Sequence, residues 1–423
     1  MSRHTIALWF MTLLVVSISV PLSGLAQDDE TADSVIFLIG DGMGFAQVTA
    51  ARWEKAGGSL PDYPSLDNYQ NTRLYMDDLE YAGHMSTHSL NSFITDSAAA
   101  ATALATGEKT YNGVISATNI TNRGAVLGYE NATLYAVPLA TILELADEAG
   151  KSSGVVTTTR LTHATPAGYY AHSADRDWEN EIAEQCISSD MEVAMGGGVR
   201  HFLPQTVDDS KRTDDRNLMT EAEEMGWTVI TNSTELQAID ANSSERVLGL
   251  FTSSHMSYEM ERGDDEPSIA EMTQTAIDVL SKDEDGFFLM VEGGRIDHAD
   301  HARDYKNCVI DTIAFDDAIK VALDYAAENP KTLVVVTADH ECGGLVLSGL
   351  PNEDYTIGWT PAFSSGVSTS PSSEYVDFIV GGEATHTSVD VPLFASGPMA
   401  EEFSHGLIDN TEIFDLMKEA MGL

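Results

Sequence analysis

A serine at the start of an alanine-rich segment is placed where it could act in catalysis. Asp96-Ser97 precedes a run of small residues that ends at Gly107. Because alanine is the best helix former and glycine often follows a helix end, residues 98–106 are predicted to be helical. Ser97 then lies at the first turn, where free backbone N–H groups and the helix dipole favour a serine alkoxide or a phosphate. The same residues also fit a purely structural role as caps of a buried helix.

Acidic and histidine side chains recur directly beside apolar runs that predict buried strands. In an open α/β sheet, binding sites form beyond the carboxyl ends of the strands. A single aspartate at such an end is commonly only a helix cap, whereas four groups in one sheet indicate a shared site. The groups are Asp41, Glu292, the pair Asp339-His340, and His386, which precedes the last apolar run.

Asp297 and His301 have the spacing of metal ligands on a helix. Residues four apart point from one helix face, and a carboxylate with an imidazole suits zinc, whereas oxygen-only sites suit magnesium. An ion pair on a solvated helix explains the same spacing. Cys342, two residues after His340, fits either a further metal ligand or, as we favour, a buried unpaired thiol.

Arg176 is the remaining candidate for substrate binding. Its planar guanidinium carries five N–H donors and can hold two phosphate oxygens at once. It follows a segment that contains His163 and Thr165. Taken alone, Arg176 is better explained by a surface salt bridge with a neighbouring acid.

The order of apolar and amphipathic segments predicts an α/β fold in one large domain. Continuous apolar runs alternate with helical patterns, which indicates a three-layer αβα sandwich around a mostly parallel sheet. Polar stretches near residues 116–135 and 350–373 are interpreted as insertions. Predicted strands cover 34–39, 153–158, 192–195, 228–230, 247–251, 286–291, 332–337 and 391–396, and predicted helices include 98–106, 138–149, 269–281 and 311–327.

The chain is strongly acidic. Its 423 residues include 67 acidic and 22 basic side chains, which gives a formal charge of −45. Such a surface repels nucleic acid and anionic lipid, so we expect neither as a partner. Because salt screens this repulsion, we also hypothesise that the protein is adapted to high salt.

The first 26 residues predict a signal peptide, with a positive start, an apolar run over 5–20 and small residues before a cleavage site after Ala26. The run is too short to span a membrane. We therefore expect export to the periplasm or the exterior, with the mature domain at 27–423. The three cysteines, Cys186, Cys308 and Cys342, allow at most one disulfide within the chain.

Taken together, these residues resemble the alkaline phosphatases. The matching stretches follow the order of that family over nearly the whole mature chain. They lie at 40–44, 95–99 with 109–113, 163–167, 291–298 with 301, 337–340 and 386–387.

The resemblance implies hydrolysis of phosphate monoesters with broad specificity, through a phosphoserine on Ser97 while Arg176 holds the phosphate. It implies two zinc ions and one magnesium ion per chain, and it suggests a homodimer. It also implies that small phosphomonoesters and inorganic phosphate are the ligands. The implied ligands are Asp297, His301 and His386 for one zinc, Asp41, Asp339 and His340 for the second, and Asp41, Thr165 and Glu292 for magnesium.

Two positions depart from some bacterial relatives, which have aspartate in place of His163 and lysine in place of His298. We expect His163 to favour magnesium less than a carboxylate does, so zinc is a second candidate for the third site. We expect His298 to meet the phosphate through water. The competing interpretations are a phosphodiesterase or sulfatase of the same superfamily, and a non-catalytic exported protein that binds cations through its acidic surface.

Overall fold

The structure, a computed structural model, describes residues 31–57, 66–118, 137–243, 245–347 and 384–423. The predicted signal peptide at 1–26 lies outside the described residues, and so does most of both predicted insertions. Within the described residues, no helix has the length and apolar character that crossing a bilayer requires.

The described residues form twelve strands. They are β1 (Ser34–Ile39), β2 (Tyr81–Ser86), β3 (Ser152–Arg160), β4 (Val193–Gly197), β5 (Thr228–Ile230), β6 (Val247–Leu250), β7 (Phe287–Glu292), β8 (Thr332–Thr337), β9 (Glu341–Cys342), β10 (His386–Thr387), β11 (Val391–Ser396) and β12 (Leu407–Asp409).

Ten of these strands build one sheet in the order β12–β2–β11–β8–β1–β7–β3–β4–β6–β5. From β8 to β5 every neighbouring pair is parallel. β11 pairs antiparallel with both β8 and β2, whereas β12 and β2 are parallel to each other. β11 is therefore the only strand of this described sheet that runs against the others. The short strands β9 and β10 pair antiparallel as a separate ribbon.

Twelve α-helices are described. They are α1 (Phe45–Lys55), α2 (Leu66–Asn71), α3 (Ser97–Thr106), α4 (Ile142–Glu148), α5 (Ala164–Tyr170), α6 (Glu179–Ser188), α7 (Leu218–Glu224), α8 (Ser233–Gln237), α9 (Ile269–Leu280), α10 (Arg295–Ala302), α11 (Tyr305–Glu328) and α12 (Asn410–Met421). Short 3₁₀ helices lie at Tyr75–Asp78, Val199–His201, Glu259–Glu261 and Ala400–Ser404.

Helices cover both faces of the sheet. Every residue of β1, β7 and β8 is buried, as expected for central parallel strands packed on two sides. One layer contains α1, α9, α10 and α11, with α9 against β3, β4 and β7 and α11 against β8. The other contains α3, α4, α5 and α12, with α4 and α5 against β3 and β7 and α12 against β1. The predicted three-layer αβα fold is confirmed.

The predicted strands agree closely with the structure from β11 to β5 and not at the edge formed by β12 and β2. β1, β5, β8 and β11 have the predicted bounds. The helix predicted at 138–149 begins only after Thr141, whose hydroxyl accepts from the backbone N–H of Glu144 while the Glu144 carboxylate accepts from that of Thr141. The helix predicted at 311–327 starts earlier, because the Asp304 side chain caps it by accepting from Asn307. β2 and β12 were not predicted, because their sequences contain no apolar run.

Small residues allow two close contacts between elements that carry candidate site residues. A Cβ on Gly168 would lie 2.8 Å from the Ala101 Cβ, so glycine and alanine let α5 pack tightly on α3. Gly42 has a φ of +72°, and a Cβ there would lie 3.0 Å from the Asp297 Cα. The turn after β1 therefore needs glycine to pass beside α10.

Candidate metal centre and phosphate site

The carboxyl ends of three neighbouring strands meet at one edge of the sheet. Ile39, the last residue of β1, is in register with Glu292 of β7 and Thr337 of β8. The residues that follow β1 and β8 therefore leave the sheet beside Glu292. Because β11 runs in the opposite direction, its start lies at this same edge, and His386 lies just ahead of it.

Asp297, His301 and His386 form the first cluster. The His301 Nε2 lies 3.4 Å from the Asp297 Oδ2 and 3.1 Å from the His386 Nε2, which is 3.5 Å from the Asp297 Oδ1. The other ring nitrogens face backbone carbonyls, at 2.6 Å from Ala384 for His301 and 2.9 Å from Thr95 for His386. Because a carbonyl only accepts, each Nδ1 carries the hydrogen and each Nε2 presents a lone pair to the cluster.

Asp41, Asp339 and His340 form the second cluster, and all three are fully buried. The His340 Nε2 lies 3.1 Å from the Asp339 Oδ2 and 3.6 Å from the Asp41 Oδ1. The backbone N–H groups of Gly42 and His340 donate to the Asp339 Oδ1, at 3.1 and 2.9 Å. Burial, reinforced by the charge of Asp339, raises the pKa of Asp41, and burial raises that of Asp339 to about 6.

Asp41 also belongs to a third cluster, with Glu292 and His163. One ligand atom from each of these residues lies within 4.8 Å of the others. The Glu292 Oε2 accepts from the hydroxyls of Thr157 and Thr159, the second at 3.1 Å. Burial raises the pKa of Glu292 to about 7. The Thr165 hydroxyl, in the first turn of α5, is fully buried.

The donor atoms of the three clusters fit bound cations. Burying carboxylate oxygens without partners is costly, and a divalent cation would supply the missing positive charge. Imidazole with carboxylate in the first two clusters suits zinc, and the oxygen-rich third set suits magnesium. In these clusters, the buried oxygens that have no hydrogen-bond partner among the described residues include both of Asp41, Oδ1 of Asp297, Oδ2 of Asp339, Oε1 of Glu292 and Oγ1 of Thr165.

Ser97 lies against the second cluster. It is the first residue of α3, is 3% exposed, and its Oγ is 3.3 Å from the His340 Nε2. Asp96 caps α3 by accepting from the Ala99 N–H at 3.0 Å. Its other oxygen accepts from the Arg176 Nη1 at 3.0 Å. The cap residue therefore also anchors the predicted phosphate-binding arginine beside the serine.

Comparison with known proteins agrees with this geometry. The family model described as alkaline phosphatase matches residues 32–369. The chain belongs to the alkaline phosphatase family. It is therefore a phosphatase, an enzyme of the hydrolase class.

Three relatives illustrate how much of an alkaline phosphatase the chain spans. It is 33% identical to streptomycin-6-phosphate phosphatase from Streptomyces griseus, over 97% of this chain and 96% of that protein. It is 31% identical to alkaline phosphatase 4 from Bacillus subtilis, over 94% and 91%. The solved alkaline phosphatase from the Antarctic bacterium TAB5 superposes with a TM-score of 0.71 at 30% identity, covering 93% of this chain and 99% of that one.

His163 and His298 lie beside the candidate site, and each contacts an arginine. The Arg176 Nη2 is 3.1 Å from the His163 Nε2, and the Arg295 Nη1 is 2.8 Å from the His298 Nδ1. Burial lowers the pKa of both imidazoles, that of His298 to about 4. Among solved structures, histidine-to-aspartate and histidine-to-glutamate variants of the TAB5 enzyme have magnesium bound in the M3 site.

Cys342 lies at the first cluster. Its sulfur is within 4.8 Å of one ligand atom each of Asp297, His301 and His386. Its thiol is buried and forms no disulfide, and the same is true of Cys186 and Cys308. The ribbon explains its position, because Cys342 of β9 pairs with His386 of β10.

Sequence reasoning missed several supporting residues of this alkaline phosphatase. Thr157 and Thr159 hold Glu292, and their alternating positions on β3 could have indicated a shared face. Asp96 was recognised only as a cap, because its contact with Arg176 bridges 80 positions of sequence. His255, which lies 4.2 Å from His298 between ring centroids, carries no motif that distinguishes it.

Proposed function

We propose that this chain hydrolyses phosphate monoesters with broad specificity, through a phosphoserine formed on Ser97. The observation that carries the proposal is the position of the Ser97 Oγ, at the first turn of α3 and 3.3 Å from the His340 Nε2. The Arg176 guanidinium, anchored by Asp96, is the nearby cation for the phosphoryl oxygens.

The reaction consists of two displacements at phosphorus. The Ser97 oxygen attacks, its bond to phosphorus forms as the ester P–O bond breaks, and the alcohol leaves. Water then attacks the phosphoserine, which restores the serine hydroxyl and releases inorganic phosphate. Arg176 and the start of α3 neutralise the phosphoryl oxygens in both steps.

We propose two zinc ions and one magnesium ion as the cofactors. Asp297, His301 and His386 would bind one zinc, and Asp41, Asp339 and His340 the second. Asp41, Glu292 and Thr165 would bind magnesium, with His163 beside them. Bound zinc would stabilise the charge on the entering and leaving oxygens and favour the serine alkoxide. The unpartnered oxygens of these clusters support this assignment.

The deciding experiment compares p-nitrophenyl phosphate with bis-p-nitrophenyl phosphate at alkaline pH in salt. The enzyme is assayed before and after chelation, with zinc and magnesium restored, beside Ser97→Ala. The control is Ser233→Ala, which alters another buried serine at the first position of a helix, α8. We expect monoester activity that needs zinc, is nearly lost in Ser97→Ala and persists in Ser233→Ala.

Other outcomes would identify the competing functions. A zinc-bound chain that cleaves the diester or a sulfate ester, but not the monoester, is a phosphodiesterase or a sulfatase. A chain that binds divalent cations but cleaves none of these esters is a non-catalytic metal-binding protein. Full activity in Ser97→Ala would overturn the phosphoserine.

We further propose that the chain is exported, cleaved after Ala26 and assembled as a homodimer. The sequence of residues 1–26 supports export, and the dimer rests on resemblance alone. N-terminal sequencing of the secreted protein and its mass in solution test the two statements separately.

A further inference from the structure

Basic side chains beyond Arg176 form a group that has no assigned role in the proposed reaction, apart from the water-mediated phosphate contact expected of His298. We call Arg160, Arg200, Arg295, His255 and His298 the arginine–histidine cluster. Its ring centroids are closely spaced, with His255 at 4.2 Å from His298. In a chain with only 22 lysines and arginines against 67 acidic residues, such a concentration is unexpected.

The cluster holds more hydrogen-bond donors than acceptors. The His255 Nδ1 lies 3.3 Å from the backbone N–H of Arg160, and its Nε2 contacts the Nη1 of the same arginine. A neutral imidazole has only one acceptor nitrogen and one N–H. In one of these two contacts, therefore, the imidazole N–H points at an N–H of Arg160. An acceptor atom from a ligand would satisfy the extra donor.

The cluster is also short of counter-charge. Arg160 is paired with Glu179, through Nε at 2.6 Å and Nη2 at 2.9 Å. Within the described residues, however, neither Arg200 nor Arg295 has a carboxylate within 4 Å. The Arg295 guanidinium packs instead on the Tyr258 ring, 3.9 Å from its centroid, and its buried Nε has no hydrogen-bond partner in the described part of the chain.

Arg200 joins the cluster through His201, whose Nε2 lies 3.3 Å from the Arg200 Nε and 3.3 Å from the Glu179 Oε2. Glu179 therefore has a larger electrostatic effect on Arg200 than Asp209 has, and Asp311 is affected by the charge of Arg295. Among the described residues, none of these three carboxylates forms an ion pair with Arg200 or Arg295. Partly buried positive charge without a paired anion is unfavourable. The cluster therefore has the surplus of charge and donors that an anionic ligand would balance.

The cluster begins one imidazole ring away from the phosphate-binding arginine. The Arg176 Nη2 contacts the His163 Nε2 at 3.1 Å. The His163 ring centroid is 5.3 Å from that of His255 and 5.6 Å from that of His298. A second anionic group on the molecule whose phosphate occupies the Ser97 site would thus reach the cluster through a short linker.

We propose that the arginine–histidine cluster is a second anion subsite, which binds a second phosphate group carried by the leaving group of the substrate. The preferred substrates are then small bisphosphates. This inference rests on the proposed function, because it places the scissile phosphate between Ser97 and Arg176.

The test compares propane-1,3-diol bisphosphate with propyl phosphate as substrates of the metal-loaded enzyme. Phosphate release is measured in 1 M NaCl, which screens the long-range repulsion between the acidic surface and the more highly charged substrate. We expect kcat/KM per phosphate group to be higher for the bisphosphate by about tenfold or more. A charge-assisted hydrogen bond to the second phosphate contributes enough binding energy for a factor of that size. Dividing by two corrects for its two equivalent phosphates.

Variants of Arg200 locate the effect. Arg200→Ala is expected to lower the bisphosphate preference by about tenfold, whereas Arg200→Lys keeps most of it. The matched control is Arg73→Ala, which removes an exposed arginine paired with Asp78 and should leave the preference unchanged.

The outcomes separate the subsite from the reaction itself. Equal kcat/KM per phosphate group for the two substrates in the wild type would overturn the subsite while leaving phosphomonoester hydrolysis intact. An unchanged preference in Arg200→Ala would show that Arg200 does not bind the second phosphate, and it would overturn the placement of the subsite at this cluster. Failure to hydrolyse even propyl phosphate would overturn the proposed function, and the inference with it.

Discussion

Replacing Asp96 separates the two roles that this side chain has at the start of α3. Its Oδ1 caps the helix through Ala99, whereas its Oδ2 accepts from the Gly113 N–H at 2.9 Å and from the Arg176 Nη1 at 3.0 Å. In Asp96→Asn the oxygen can still cap, but an amide NH₂ then faces two donors. In Asp96→Ala all three interactions disappear.

The expected losses follow from the three contacts. A lost cap costs about 1 kcal/mol, and a lost backbone hydrogen bond costs about 1 kcal/mol. The pair with Arg176 contributes about 1 kcal/mol, because the two side chains are 20% and 24% exposed and partly screened. We therefore expect unfolding free energies lower by about 3 kcal/mol in Asp96→Ala and about 2 kcal/mol in Asp96→Asn.

Denaturant unfolding at fixed zinc, magnesium and salt concentrations measures these losses. The inhibition constant of inorganic phosphate should also rise by about tenfold in both variants, because Arg176 loses its anchor. Asn217→Ala is the matched control, since Asn217 only caps α7 through Thr220. Equal destabilisation of the Asn and Ala variants would refute the cap, and unchanged phosphate inhibition in both would refute the anchoring of Arg176.

Three further predictions concern metal, pH and salt. His163→Asp should tighten magnesium binding in a metal titration, because a carboxylate replaces an imidazole beside Asp41 and Glu292; unchanged affinity would contradict this. Burial favours neutral His172, but its hydrogen bonds to Glu144 and to the Ser116 carbonyl prevail and raise its pKa. Its contribution to stability should be complete below pH 6.5 and lost as the pH rises through the raised pKa, a slope that His172→Gln should lack in unfolding measured against pH. Stability and activity should increase from low to molar NaCl because of the charge of −45; full stability without salt would argue against salt adaptation.

The centre of the fold could be predicted because its signal is local. The strands β1 and β8 are uninterrupted apolar runs, and each is buried on both faces. β2 was missed because only one of its six residues, Met85, is buried. Its pairing with β11 is a long-range contact that no local pattern reveals.

The residues of the candidate site carry local signals in the sequence, whereas their arrangement in space does not. Asp297 and His301 share a helix face, so their spacing carries the information. His386 reaches the same cluster only because β11 is antiparallel, since a parallel strand would begin at the opposite edge of the sheet. The contact of His255 with Arg160 likewise depends on how distant segments pack, which the sequence does not express.

The ribbon of β9 and β10 joins two parts of the chain that are distant in sequence. Cys342 pairs with His386, the Gly343 N–H donates to the Thr385 carbonyl at 3.0 Å, and the Ala384 N–H donates to that of His301 at 3.0 Å. The chain before residue 348 and the chain after residue 383 are therefore held together beside the first cluster. Because doubling the length of a flexible connection adds only about 0.6 kcal/mol of closure entropy, the position of His386 should tolerate changes in the length of chain between these two anchored parts. An inserted domain between them is expected to leave the first cluster in place.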